Sequence, residues 1–108
     1  MTVKESELIK KPEFLSFKEA AALPHIAALT MQGLFKFAKV KKGDEILING
    51  AGGGVGLLAI QMLKDLDVHC TGVDHTDKQL KMLEMGYKEV LDYTRTDYTA
   101  RDEKYDLI

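Results

Sequence analysis

EILINGAGGGVGLLAIQML, residues 45–63, decides the fold. Glu45 to Asn49 form a short apolar run with Gly43-Asp44 on one side and glycine on the other, which predicts a buried strand. The glycine-rich run 50–56 then leads into an amphipathic helix. In that helix Val55, Leu58, Ala59, Met62, Leu63 and Leu66 fall on one stripe, expected to face a sheet.

Working outward toward the C-terminus, VHCTGVD (68–74) reads as a second strand and Thr76 to Met85 as a second helix that Gly86 stops. EVLDY (89–93) reads as a third strand, 94–104 as a loop or short helix, and YDLI (105–108) as a fourth strand beginning. Strand and helix in alternation imply an α/β fold: a parallel sheet with helices on both faces, joined by right-handed βαβαβ crossovers. Toward the N-terminus, residues 1–12 read as extended. Ser16 with Glu19 forms a capping box that opens a short helix. Pro24 is expected to break or restart it, with a second helical stretch over 25–38.

The 108 residues, 45% hydrophobic and 30% charged with a net charge of −2, suit one small globular domain. That charge balance gives no reason to expect nucleic acid or an anionic membrane as partner. A single cysteine, Cys70, excludes an intrachain disulfide. No apolar run approaches the ~20 residues of a membrane span, and the N-terminus lacks a signal-peptide layout, so the expected location is cytoplasmic.

Chemistry concentrates in the glycine run. A dinucleotide site needs a sharp turn, a backbone that can approach a pyrophosphate, and close packing of helix on strand. Glycine serves all three because it has no side chain and accepts positive φ. Gly50, Gly53 and Gly56 recur at three-residue spacing, with Ala51, Gly52, Gly54 and Val55 between them, and the helix N-terminus would face the phosphates. Strict G-x-G-x-x-G spacing is not met, since Ala51 stands at its first position. An acidic residue ~20 positions further on, at the end of the second strand, would bind the ribose hydroxyls, and Asp74 stands there. Its charge favours NAD(H); NADP(H) is the second candidate, because His75, Thr76 and Lys78 lie close by. No G-K-[ST] follows the glycines, which excludes a P-loop. His69 and Cys70 are strand neighbours on opposite faces, and His25, Cys70 and His75 lack metal-ligand spacing, so no metal site is expected.

The runs KPEFLSFKEAAALP, KVKKGDEILINGAGGGVGLLAIQMLK and GYKEVLDYT resemble the medium-chain dehydrogenase/reductase superfamily, in its zinc-free, quinone oxidoreductase-like branch. The resemblance implies a Rossmann cofactor domain working with a GroES-like catalytic domain. It also implies hydride transfer from a reduced nicotinamide to a quinone, enone or other activated carbonyl. On it, residues 1–15 correspond to the exit strand and linker of the GroES-like domain, and 16–108 to the first half of an NAD(P)-binding Rossmann domain. The chain alone is then expected to bind the dinucleotide without turnover; the alternative is a stand-alone nucleotide-binding half-domain that self-associates as a homodimer through an open sheet edge. Residue by residue, Gly53, Gly54, Val55 and Gly56 match the pyrophosphate turn, Asp74 the ribose-reading position, and Lys78 a place near the adenosine ribose. In this branch the position of Asp74 is often not acidic, since many members use NADPH. His25 stands where alcohol dehydrogenases place a zinc ligand, though zinc is not expected. Leu29 or Thr30 answers the threonine beside the nicotinamide. No side chain stands out as a catalytic acid or base.

Overall fold

The structure is a computed structural model describing residues 2–108. Its sheet has three parallel strands, β1 (Glu45–Asn49), β2 (His69–Asp74) and β3 (Glu89–Asp92), in that spatial order. Register runs from Glu45↔His69 to Asn49↔Val73 and from Thr71↔Glu89 to Asp74↔Asp92. The C-terminal segment lies against the other edge of β1. Leu107 bridges Ile46 in parallel, and the Leu47 amide donates to the Leu107 carbonyl at 3.0 Å. Sheet growth therefore reverses direction at β1, the kind of switch point beside which open α/β sheets bind their ligands.

Three helices accompany the sheet: α1 (Phe17–Met31), α2 (Gly54–Leu63) and α3 (Gln79–Met85). The Ser16–Glu19 capping box is formed, with the Ser16 amide donating to Glu19 Oε2 at 2.8 Å. Gly86 ends α3 at φ 119°, a left-handed conformation that suits glycine. On one face of the sheet, Ile46 and Cys70 pack with Ile60 and Leu63 of α2 and Met82 of α3. The other face carries Leu47, Val73 and Leu91, and it is covered by Tyr105 and by Tyr98 from a single 3₁₀ turn (Tyr98–Ala100). Leu63→Ala should cost about 2–5 kcal/mol of stability, because Leu63 is only 1% exposed and its pocket cannot collapse freely. Urea unfolding measures the loss.

Several local expectations are corrected. The N-terminal stretch is not simply extended, since Glu5–Glu7 form a 3₁₀ turn that the Glu7 carboxylate fastens by accepting the Lys4 amide at 3.1 Å. Pro24 does not break the helix: α1 runs through it. Leu23, Ile26, Ala27 and Thr30 form a buried or half-buried stripe on both sides of the proline. That continuous packing outweighs the ~3 kcal/mol an interior proline costs. After α1 the chain continues as a π-helix, Gln32–Phe37, in place of the α-helix expected to Ala38.

The sheet-facing stripe of α2 is also rotated from the expected one. Gly56, Ala59, Ile60 and Leu63 are buried, whereas Val55 is 40% exposed. Because α2 packs on the sheet on one side and near Ile26 of α1 on another, it is apolar almost all round.

Candidate dinucleotide site

The turn after β1 is built by its glycines. Gly50 adopts φ +75°, which swings the chain back over β2. There the amides of Gly50 and Ala51 both donate to the Val73 carbonyl, at 2.9 and 3.1 Å. The Gly53 amide closes the turn on the Gly50 carbonyl at 3.0 Å, and Gly53 becomes the N-cap of α2 with no side chain to fasten it. A Cβ on Gly56 would lie 2.5 Å from the Cα and carbonyl oxygen of Ala51, so only glycine lets helix and turn approach this closely. The amides of Gly54 and Val55 donate to no acceptor among the described residues, and both residues are exposed. Two free N–H groups at a helix N-terminus are a ready anion-binding surface.

Beside this turn, Asp74 ends β2 and is 6% exposed. Its Oδ2 accepts the Gly52 amide at 2.9 Å, and its Oδ1 accepts the His75 amide at 2.8 Å. Lys78 Nζ stands 2.9 Å from the same Oδ1. Burial pushes the carboxyl up, but the Lys78 ammonium and the two amides more than offset it, holding Asp74 below the usual carboxylate range. The stem of Lys78 lies over Gly52, where a Cβ would come within 2.5 Å of the Lys78 Cδ. All nine residues singled out from the sequence, Gly50 to Gly56 with Asp74 and Lys78, thus gather around one turn, with Ala51, Gly56 and Asp74 buried and the others partly or fully exposed.

Asp92 is a neighbour the sequence reading passed over. It ends β3 opposite Asp74 and accepts the Thr94 amide and hydroxyl at 2.8 and 2.7 Å. It also accepts the Thr76 hydroxyl, which ties the 3₁₀ turn carrying Lys78 to the sheet. The Thr94 hydroxyl bond, working against burial, holds the Asp92 carboxyl below its ordinary range.

On the other side of the β1 end, Asn49, Val55, Leu29, Thr30 and Leu107 line an apolar cavity of about 320 Å³. Thr30 is buried and its hydroxyl donates to the Ile26 carbonyl at 2.6 Å, while Leu29 is half-exposed. The remaining candidates lie apart. His25 is exposed on α1, and His69 is exposed and paired with Glu45 at 2.9 Å. Burial, with Glu45 nearby, raises the Cys70 thiol to about 11, leaving it unreactive. Among the described residues no three His, Cys, Asp or Glu side chains gather as metal ligands, and no helix is long and apolar enough to cross a membrane.

No family model matches the chain. It is similar to the mitochondrial NAD(P)H oxidoreductase RTN4IP1 of Mus musculus, 36% identical over 98 residues, which cover 87% of this chain and 25% of that protein. Quinone oxidoreductase of Pongo abelii is 35% identical over 99 residues, covering 89% of this chain and 30% of that one. The structure of quinone oxidoreductase from Coxiella burnetii superposes with a TM-score of 0.84 at 32% identity, covering 93% of this chain and 32% of that one. The relatives it matches are quinone oxidoreductase-like members of the medium-chain dehydrogenase/reductase superfamily. A further structure of the same fold, a mycobacterial protein solved with NADPH, superposes with a TM-score of 0.72 at 27% identity, over 77% of this chain and 26% of that one. The chain spans a quarter to a third of the length of the relatives it matches.

Proposed function

We propose that this chain grips the adenosine and pyrophosphate parts of a nicotinamide dinucleotide, serving an oxidoreductase that passes hydride to a quinone, enone or other activated carbonyl. The observation that carries this reading is the pair of free amides of Gly54 and Val55 facing solvent beside the buried, anionic Asp74. The pyrophosphate fits over the former and the ribose beside the latter. The coenzyme supplies the hydride chemistry. The protein's share is to hold and orient it, and the apolar cavity lined by Leu29, Thr30 and Val55 offers a dry flank to its far end.

Sequence alone favours NAD(H) through the charge of Asp74. In the folded chain that charge is paired with Lys78, whose ammonium is half-exposed. A 2′-phosphate would therefore meet a cation as well as an anion. On this reading both coenzymes bind, NADH through Asp74 and NADPH through Lys78 Nζ.

Calorimetric titration with each coenzyme tests it. The expected result is binding of both within about tenfold of each other, with Lys78→Ala weakening NADPH by roughly tenfold more than NADH, as the loss of one charge-assisted phosphate contact requires. Failure of the chain to take up either at millimolar concentration would sink the assignment.

A further inference from the structure

Tyr87 follows the helix-ending Gly86 and is 3% exposed. Its hydroxyl donates at 2.8 Å to the carbonyl of Gly56, which lies 31 residues earlier in the third position of α2. The ring of Tyr87 and the methyl of Ala51 both close on Gly72 in β2, where a Cβ would stand 2.9 Å from each. Gly56 in turn rests on the Ala51 backbone. These four residues therefore form one packed unit behind the glycine turn, drawn from the turn itself, α2, β2 and the α3–β3 connection.

A helix's first turn is its loosest part unless a cap side chain fastens it. Here the cap is Gly53, which offers none. Among the described residues, the one side-chain bond into that turn's far end comes from behind, from Tyr87. We propose that Tyr87 is a positioning residue for the coenzyme pyrophosphate: by holding the Gly56 carbonyl it fixes the direction in which the Gly54 and Val55 amides point. This rests on the dinucleotide reading above. Burial raises the phenol well above its ordinary range, so it is a hydrogen-bond donor at neutral pH.

Tyr87→Phe keeps the ring and removes only the donor. The Gly56 carbonyl retains its place in the α2 hydrogen-bond ladder, so the variant is expected to fold. Two measurements follow, each beside the control Tyr105→Phe, whose buried hydroxyl has no hydrogen-bond partner among the described residues. First, amide exchange at Leu57, which donates to Gly53 at 2.9 Å, should speed up roughly three- to tenfold in Tyr87→Phe. Second, ADP-ribose should bind more weakly by a similar factor while adenosine, which lacks phosphate, binds as before. Equal weakening of both ligands would mark a merely structural role, and unchanged Leu57 exchange would show that the bond does not hold the turn. Either overturns the proposal. Absence of all binding by the wild-type chain would instead overturn the dinucleotide reading and the ligand named here with it, and the exchange comparison would still decide whether Tyr87 holds the turn.

Discussion

Gly56→Ala should lower the free energy of unfolding by about 3 kcal/mol and abolish dinucleotide binding. The added Cβ would lie 2.5 Å from the Ala51 Cα and carbonyl oxygen, which are backbone atoms in a turn already bonded to Val73. Such an overlap cannot be relieved by a side-chain rotation, so α2 must move off the sheet as a body. Moving α2 also carries away the amides of Gly54 and Val55. Gly54→Ala is the matched comparison: there the nearest atom is Ile26 Cγ2 at 3.5 Å, an ordinary contact, so stability should change by less than about 1 kcal/mol. Equal effects from the two substitutions in urea unfolding would show that helix propensity, rather than the close approach, governs this turn.

Asp74→Ala is expected to weaken NADH binding by at least about tenfold and to cost about 2 kcal/mol of stability, because it strands the Gly52 amide and the Lys78 ammonium together. Its effect depends on pH with a definite sign. The folded carboxyl lies below its ordinary value, so its contribution is fully present above the unfolded value near ~3.9. It is lost as pH falls below that, through the folded value. Urea midpoints of wild type and Asp74→Ala should therefore run parallel at neutral pH and converge below about pH 4. Midpoints that stay equally far apart down to pH 2 would contradict the ion-pair account.

The alternating fold was legible because its evidence is local. EILIN, HCTGVD and EVLD are short runs between turn or helix-ending residues, and each becomes a strand within a residue or two of the expected bounds. The glycines and Asp74 were legible for the same reason: a turn of that shape and a strand-end carboxylate leave their mark in adjacent residues. What escaped was decided by distant partners. α2 is apolar on nearly every side, so its periodicity could not say which stripe meets the sheet. Pro24 looks like a breaker until Leu23, Ile26, Ala27 and Thr30 are seen as one packed stripe. Tyr87 meets Gly56 only across the fold, and nothing in the residues beside it announces that bond. The Asp74–Lys78 pair sits between these cases. Its i,i+4 spacing was in plain view, but the consequence, a carboxylate already engaged, needed the geometry.

The bridge between Ile46 and Leu107 places a demand on synthesis. Glu45 and Asp106, which close that edge of β1 through the Glu45 amide and the Asp106 carboxylate, are 61 residues apart. At ~10 residues per second, a chain leaving the ribosome holds one border of β1 unpaired for roughly six seconds after the strand itself emerges. Through that interval EILIN is an open template for any other nascent strand, and the Glu45 and Asn49 that flank its apolar centre are its only polar guards. Yield of soluble protein should thus be set as much by how quickly residues 106–107 arrive as by the stability of the finished sheet.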